Sequence, residues 1–302
     1  MAHERPGALQ RNRDTNGSAG SEEAQEGIDR YAKLRQPPSG LCWWCGTEPA
    51  TTGEHKFKRS DMARLMDDQP LLVWGYQRSG ITRELRGPGA LKRDRYGVLK
   101  FPKSLCAPCN NARSQPFDLA YDKFSSYLGS HSLRRMPGVP IADIYGEEWQ
   151  ESALNLARYY AKHFGCRMVP AGLAVPQSLI DFLNGACDIT DGHMAFVTTD
   201  SVHRAYRAGL YISPDGRWVD PEETRFVAYV GAAYVGSIGV RFEWREMGMP
   251  DESRSQFFHF PYPVLNCFED ELAVAFGTPR PPGWFARFSQ WVNRPKGNGV
   301  AG

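Results

Sequence analysis

The sequence has no apolar run long enough to cross a bilayer. Its longest apolar segment, Phe226 to Val240, is broken by three glycines and spans about 15 residues, whereas a membrane helix needs about 20. The N-terminus is polar and charged, with no apolar stretch behind it, so a secretory signal peptide is not expected. We therefore expect a cytoplasmic protein with no membrane partner, and we interpret the apolar run as two buried strands.

A strong net charge is also missing, because the 302 residues carry a formal charge of only +2. Between Glu54 and Arg113, however, 13 lysines and arginines stand against 6 acidic residues, a balance of +7. Such clustering suits a nucleic-acid partner, since cationic side chains release counterions from a phosphate backbone. A solvated charged face would have the same composition, so the charge alone does not decide between the two.

Four of the seven cysteines stand in two C-x2-C pairs. The paired residues are Cys42, Cys45, Cys106 and Cys109. Thiolates three positions apart can converge on one ion from a tight turn, and two such turns complete a tetrahedral shell. The spacing predicts a zinc site that is structural, because four sulfurs leave no open position for a substrate. We interpret the single cysteines Cys166, Cys187 and Cys267 as small buried hydrophobic residues.

The length and the 41% hydrophobic content predict a folded α+β protein of about two domains. Residues 1–35 are expected to form a disordered tail with a short helix at 28–34, because they contain few aliphatic residues. Residues 36–130 contain both cysteine pairs and form the first predicted domain. Residues 131–302 form a separate α+β domain of unknown type, with a targeting or regulatory role.

Hydrophobic patterns and turn residues predict the local elements of the first domain. We expect a helix from Ser60 to Met66, a basic hairpin of strands 71–76 and 81–85, a strand at 97–101, a helix that starts after Cys109 with Asn110 and Asn111 in its first turn, and a helix from Pro116 to Leu128.

The second domain is predicted to begin with helices and continue with strands. The helices are expected at 147–164 and 177–184, the strands at 193–198, 207–212, 224–230, 233–244 and 256–260, and an aromatic helix at 283–292.

An acid and a histidine, Glu54 and His55, lie between the two cysteine pairs, and Asn110 directly follows the second pair. Phosphodiester cleavage needs a group that takes a proton from the nucleophile, and positive charge where negative charge develops. An imidazole exchanges protons near neutral pH, so His55 is a candidate general base. The oxygens of Glu54 and Asn110 are of the kind that Mg²⁺ or Mn²⁺ prefers.

The order C-x2-C, acid-His, C-x2-C-Asn resembles the HNH, or ββα-metal, endonuclease superfamily, and is similar to its zinc-containing, phage endonuclease VII-like branch. The resemblance covers roughly residues 41–124. It implies a ββα-metal nuclease domain in residues 36–130 with an inserted hairpin, and structural zinc on the four paired cysteines. It also implies that His55 is the general base and that Glu54 and Asn110 hold a catalytic Mg²⁺ or Mn²⁺.

Two features of the sequence depart from this pattern. Many members have an asparagine about five residues before the third cysteine to orient the histidine, and this chain has Phe101 there. The interval between His55 and Cys106 is also longer than a compact ββα unit requires, which we explain by the inserted hairpin. Asn111 replaces Asn110 as a ligand if the helix begins one residue later, and Arg113 either holds a phosphate or faces solvent.

Lys56, Lys58 and Arg59 follow the histidine and, with Arg113, are the predicted nucleic-acid contacts. The leading hypothesis is an HNH endonuclease that acts on nucleic acid, with DNA favoured. The alternative is a zinc-knuckle protein that binds nucleic acid without cleaving it. A homodimer, and a regulatory ligand or partner at residues 131–302, are left open by the sequence.

Overall fold

Helices and strands alternate irregularly along the chain, as the α+β prediction requires. The computed structural model describes residues 31–68, 71–75, 82–86, 99–131, 138–198, 210–213, 215–236, 238–248 and 264–269. Two compact units are present, residues 1–35 and residues 36–302. The described part of the first unit holds one short 3-10 helix, Ala32–Leu34, which overlaps the end of the helix predicted at 28–34.

The described α-helices belong to the second unit. They are α1 (Arg59–Asp68), α2 (Ala107–Asn110), α3 (Gln115–Ser130), α4 (Ile141–Tyr145), α5 (Trp149–Met168) and α6 (Gln177–Leu183). A 3-10 turn, Gly146–Glu148, leads into α5. Pro116 lies in the first turn of α3, where a missing N–H is harmless. None of the helices described is both long and apolar enough to span a bilayer.

The described strands form one large sheet and two small pairs. They are β1 (Leu71–Gly75), β2 (Thr82–Arg86), β3 (Gly138–Val139), β4 (Gly192–Thr198), β5 (Leu210–Ile212), β6 (Gly216–Val219), β7 (Phe226–Val235), β8 (Ile238–Arg245), β9 (Leu265–Asn266) and β10 (Phe268–Glu269). The large sheet has the order β10-β4-β8-β7-β5, and β6 also pairs with β7. Its pairs are antiparallel except β10 with β4, which is parallel.

The core lies between α3, α5 and the centre of the large sheet. Phe124 of α3 stacks on Phe196 of β4, and Phe164 of α5 stacks on Phe242 of β8. Every residue of β4 is buried, and so is α5 from Tyr159 to its end. A helix buried on all sides fits a position between other elements rather than at a surface.

One hydrophobic cluster joins residues from both sides of the predicted domain boundary. Cys42 and Phe124 belong to it together with Phe164 and Phe242. The predicted division between residues 130 and 131 therefore does not coincide with a boundary of packing. The mixed α+β class is confirmed.

A predicted helix and a predicted pair of strands differ from the structure. The helix expected to start after Cys109 is wrong, because α2 ends at Asn110 and the next helix begins at Gln115. The strands expected at 224–230 and 233–244 divide at Gly236 instead of near Gly231. Gly236 has φ of +63°, which favours glycine in a turn.

Several predicted elements are matched closely. The hairpin of β1 and β2 pairs antiparallel with Leu71 opposite Arg86, and α1, α3, α5, α6 and β4 cover the predicted ranges to within a few residues. The predicted strand at 256–260 and helix at 283–292 lie outside the described residues, as does most of the predicted tail at 1–35.

Candidate metal centre and active site

The first cysteine pair lies in a tight turn closed by the main chain. The N–H of Gly46 donates to the carbonyl of Cys42 at 2.8 Å, and the N–H of Cys42 donates to the carbonyl of Glu48 at 2.7 Å. Gly46 has φ of +71°, which a glycine adopts without steric cost. The turn therefore points the thiols of Cys42 and Cys45 to one side.

The second pair lies at the start of α2. Cys106 precedes the helix, and its carbonyl accepts the N–H of Asn110 at 3.0 Å. Leu105 pairs with Thr52, and their main chains exchange hydrogen bonds of 2.8 and 3.2 Å. This pairing brings the second turn beside the segment that leaves the first.

The four paired cysteines converge as predicted. Their Sγ atoms all lie within 4.8 Å of one another, and the Sγ atoms of Cys45 and Cys106 are 3.8 Å apart. A tetrahedral zinc with Zn–S bonds of about 2.3 Å has sulfur–sulfur separations of about 3.8 Å. Cys42, Cys106 and Cys109 are buried, and all seven cysteines are free of disulfides. The cluster has the composition and the spacing to hold a metal such as zinc.

Burial makes two of these thiols, those of Cys42 and Cys109, harder to ionise without a cation. It raises the pKa of Cys42 and of Cys109, whereas a hydrogen bond from the Thr47 side chain is the main reason that the pKa of Cys45 falls to about 6. A dication offsets the cost of the thiolate charges, because metal binding and thiol deprotonation are coupled. The donor set therefore fits the structural zinc that the sequence predicts.

Arg113 lies against the cysteine cluster. One guanidinium nitrogen lies 3.4 Å from Cys109 Sγ, and another donates to Asn184 Oδ1 at 2.7 Å. The guanidinium also lies over the Trp44 ring, 4.6 Å from its centre, and Trp44 Nε1 donates to the same Asn184 oxygen at 2.9 Å. Arg113 is thus engaged at the metal centre, and a positive charge there favours thiolate.

His55 lies on an extended segment that pairs with residues before the second cysteine turn. His55 forms an antiparallel bridge with Lys100. The N–H of Lys56 donates to the carbonyl of Leu99 at 2.8 Å, and the N–H of Phe101 donates to the carbonyl of Glu54 at 2.9 Å. The His55 side chain is half-buried, so it lies at the border of the core rather than inside it.

The close approach of these two segments requires glycine at position 53. A Cβ added to Gly53 would lie 2.2 Å from the carbonyl oxygen of Phe101, well inside contact distance. Any side chain there would push the two segments apart. Gly53 therefore sets the spacing on which the placement of Glu54 and His55 depends.

The Glu54 side chain turns inward and pairs with a lysine from α5. Its Oε2 lies 2.7 Å from Lys162 Nζ, and its Oε1 accepts the main-chain N–H of His55 at 3.1 Å. Both side chains are buried, with 8% of Glu54 and 1% of Lys162 exposed. Both oxygens of this predicted cation ligand are thus engaged within the chain.

Lys162 has two further polar neighbours, both from the region of α3. Its ammonium donates to Ser114 Oγ at 3.1 Å and lies 3.7 Å from an oxygen of Asp118. Burial by itself lowers the pKa of Lys162, but the Glu54 and Asp118 carboxylates outweigh it and raise that pKa above its usual value. Lys162 is therefore a charged group inside the protein.

The side chain of Asn110 differs from that of Glu54 in its hydrogen bonding. Its Oδ1 is buried and accepts no hydrogen bond from the residues that the structure describes. Asn110 ends α2, directly after Cys109, whereas Asn111 follows the helix with an exposed side chain. Of the two asparagines that the sequence left open, Asn110 has the buried acceptor that a ligand would satisfy.

The predicted nucleic-acid contacts Lys56, Lys58 and Arg59 differ in how far their charges are neutralised or buried inside the protein. Lys58 lies 3.1 Å from Asp118 and 3.2 Å from Asp122, and only 15% of its side chain is exposed, so its charge is neutralised internally. Lys56 is half-buried with its ammonium 5.8 Å from the centre of the Phe101 ring. Arg59, the first residue of α1, is exposed. Arg59 is therefore better placed than Lys58 to contact a phosphate.

Phe101, which stands where the resemblance expects an orienting asparagine, packs against a buried histidine of α5. The rings of Phe101 and His163 meet edge to face with centres 5.0 Å apart. His163 Nε2 lies 3.0 Å from the carbonyl of Lys56, and a carbonyl only accepts, so this nitrogen donates. His163 thus supports the main chain next to His55.

The comparisons with known proteins do not place the chain in a family. No family model matches it, and neither the curated proteins nor the solved structures give a significant match. The functional assignment therefore rests on the motif residues and on the geometry around them.

The sequence did not reveal Lys162, His163 or Asn184 as residues near the site. All three lie far along the chain from the cysteine pairs, Lys162 and His163 on α5 and Asn184 directly after α6, where the sequence has no recognisable motif. The structure, and no local sequence signal, shows that Lys162 and His163 fall in the part of α5 that is buried on all sides. Polar residues there need partners, because burying an unpaired polar group is costly.

Proposed function

We propose that this chain is an HNH-type endonuclease that hydrolyses phosphodiester bonds in nucleic acid, with DNA favoured as the substrate. The main support is the arrangement of one short stretch of structure. The His55 segment pairs with the segment before Cys106, the four thiols converge at the end of that pairing, and Asn110 follows at once. These isolated bridges and the short helix α2 support the order of strand, strand, metal and helix that the ββα-metal resemblance implies.

His55 is the general base in this proposal. One of its ring nitrogens takes a proton from water, the water oxygen forms a bond to phosphorus, and the leaving oxygen departs with the electrons of its own bond. An imidazole suits this step because its usual pKa lies near neutral pH. The half-buried position of His55 leaves part of the side chain open to a substrate.

The two residues assigned to a catalytic Mg²⁺ or Mn²⁺ differ in how well they fit. Asn110 fits, because its buried oxygen has no other partner among the described residues. Glu54 does not fit, because Lys162 and the His55 main chain engage its two oxygens. A divalent ion bound at Asn110 would supply positive charge near the phosphate.

The exposed Arg59 and the half-buried Lys56 are the proposed contacts to the phosphate backbone. They lie on the segment with the basic excess, directly after His55. Such contacts position the substrate without reading its sequence. A homodimer, a regulatory partner at residues 131–302 and a cytoplasmic location stay predictions.

A second candidate is a zinc-knuckle protein that binds nucleic acid without cleaving it. The observation that favours it is the Glu54–Lys162 ion pair, which occupies the carboxylate that the resemblance assigns to the catalytic cation. Salt-dependent binding of DNA that stays intact for hours with divalent ions would support this candidate.

A digestion panel separates the two. Purified full-length protein is incubated with plasmid, linear, branched and single-stranded DNA, each with Mg²⁺ or Mn²⁺. The endonuclease proposal expects cleavage of at least one substrate by the wild type and its loss in His55→Ala. Binding without cleavage on every substrate, or equal cleavage by His55→Ala, would reject it.

A further inference from the structure

Lys162 is the most deeply buried charge near the site, and it comes from outside the motif. It lies on α5, while its polar neighbours Glu54, Ser114 and Asp118 lie on the part of the chain that carries the motif. Glu54 and Ser114 lie within hydrogen-bond distance of the ammonium, and Asp118 adds a second carboxylate at 3.7 Å. A buried lysine is tolerated only when it is paired in this way.

We propose that Lys162 is a positioning residue for His55, because it holds the Glu54 carboxylate in the orientation that also accepts the His55 main-chain N–H. This inference rests on the proposed function, in which His55 is the base. Lys162 itself is fully buried and does not reach a substrate. Its effect on His55 passes through Glu54.

The Glu54 carboxylate acts as a bridge because its two oxygens serve different partners. Oε2 faces the Lys162 ammonium at 2.7 Å, and Oε1 accepts from the His55 N–H at 3.1 Å. Rotation of the carboxylate away from Lys162 would remove both contacts together. The segment around His55 then keeps its pairing with residues 99–101 and the His163 hydrogen bond to the Lys56 carbonyl.

The same geometry argues against Glu54 as a ligand for a divalent cation. A dication at the Oε2 atom would approach an ammonium that is already in contact with that oxygen. Like charges repel strongly where burial excludes water. The Lys162 ammonium therefore neutralises the Glu54 carboxylate. The resemblance assigns that role to a metal ion.

A consequence is that the site extends beyond residues 36–130. The motif supplies Glu54 and His55, but α5 supplies the counter-charge that orients them. Lys162 is held in place by the packing of α5 against α3. In this packing the Tyr159 ring stacks on the Tyr121 ring with their centres 4.0 Å apart. Residues 131–302 thus contribute directly to the geometry of the site.

The test uses four full-length variants: Lys162→Met, Glu54→Gln, the double variant, and Lys123→Met as control. Lys123 is an exposed lysine on α3, so its variant removes the same charge without touching the pair. The steady-state kcat and KM for DNA cleavage, the zinc content, and the hydrogen exchange of the His55 amide by NMR are measured for each.

We expect Lys162→Met to lower kcat by about 10- to 100-fold with little change in KM, because a misplaced base slows the chemical step. Zinc content stays the same, and the His55 amide exchanges faster than in the wild type. Glu54→Gln lowers kcat similarly. The double variant is no slower than the slower single variant, because both act through one contact. Lys123→Met behaves as the wild type.

Wild-type kcat in Lys162→Met, losses that multiply in the double variant, or an unchanged His55 amide would overturn the inference. If Lys162→Met fails to fold, the double variant replaces it, since it leaves no unpaired buried charge, and wild-type kcat there is the contrary result. If the wild type cleaves no substrate, the proposed function fails, and amide exchange alone decides whether Lys162 positions His55.

Discussion

Lys162 Nζ lies 2.7 Å from Glu54 Oε2, and this contact joins a helix of the second predicted domain to the segment that carries His55. The pair is buried, so its removal from one side leaves a charge without a partner inside the protein. Breaking a buried ion pair in this way commonly costs about 3–5 kcal/mol of stability. Both the fold and the candidate site therefore depend on this contact.

The cysteine cluster predicts that the purified protein contains about one zinc ion per chain. Cys106→Ser should lose the metal and unfold at a lower temperature, because the cluster then lacks one thiolate and the metal contributes to folding. Cys187→Ser, which changes an exposed cysteine, is the matched control and should keep the metal. Metal quantification and thermal unfolding check this, and full zinc retention by Cys106→Ser would contradict it.

Arg113 is predicted to strengthen metal binding through its contact with Cys109 Sγ. Arg113→Gln should weaken zinc affinity by about 10- to 100-fold, the range typical of groups that support metal ligands. Arg59→Gln, which removes an exposed arginine, should leave zinc affinity unchanged. Competition with a chromogenic chelator measures the zinc affinity of each variant. Equal affinities in the two variants would show that Arg113 does not strengthen metal binding.

The cation dependence of cleavage should differ between Asn110 and Glu54. Asn110→Ala is expected to raise the Mg²⁺ concentration for half-maximal rate by about tenfold, because the buried Asn110 oxygen has no hydrogen-bond partner among the described residues. Asn111→Ala, at the exposed neighbour, should not change it. Glu54→Gln should lower kcat without moving the Mg²⁺ midpoint. A shifted midpoint in Glu54→Gln would return that residue to the role of a metal ligand.

Because His163 is buried, we expect the stability of the protein to fall on acidification. Burial, assisted by the nearby Arg167 charge, lowers the pKa of His163 to about 3, whereas the ordinary value is 6.5. Between these pH values the unfolded chain binds a proton that the folded chain excludes. The free energy of unfolding should therefore fall on acidification, by about 1.4 kcal/mol per pH unit from this residue.

Denaturant unfolding of the wild type and His163→Phe between pH 7 and pH 4 measures this contribution. The phenylalanine variant has no such proton to exclude, so its stability should depend less steeply on pH. It is also expected to be less stable at pH 7, because it cannot donate to the Lys56 carbonyl. Parallel stability curves for the two proteins would show that His163 does not carry the effect.

The metal cluster was predictable from the sequence because its geometry is mostly local. Each C-x2-C pair forms its own turn, and the spacing within a pair is enough to point two thiols to one side. The helix α3 and the hairpin of β1 and β2 were predictable for a similar reason, since Pro116, and an apolar run followed by a Ser-Gly pair, act over a few positions.

The position of the turn between β7 and β8 was not predictable from the sequence, although three glycines interrupt this apolar run. Gly231 and Gly239 lie inside strands, where an added Cβ would meet the side chains of Tyr229 at 2.9 Å and Tyr234 at 2.5 Å. Their small size serves packing, while Gly236 serves the turn. Only the pairing of the two strands distinguishes the glycines that serve packing from the glycine that serves the turn.

The prediction that Cys187 is a buried hydrophobic residue is wrong, because its side chain is exposed.

Lys162, the partner of Glu54, could not be predicted from the sequence. A lysine within an amphipathic pattern ordinarily indicates an exposed position, and nothing near Lys162 marks it as buried. Its burial results from the packing of α5 between α3 and the large sheet, which depends on contacts far apart in the chain. The motif thus identified the acid and the histidine, but not the residue that orients them.

The most direct test of the account is the single-turnover rate of DNA cleavage with protein in excess, compared between wild type, His55→Ala and His131→Ala. General-base catalysis by His55 predicts a loss of about 10²- to 10⁴-fold in His55→Ala. The exposed His131 at the end of α3 should be replaceable without loss. Cleavage by His55→Ala at the wild-type rate would contradict the account.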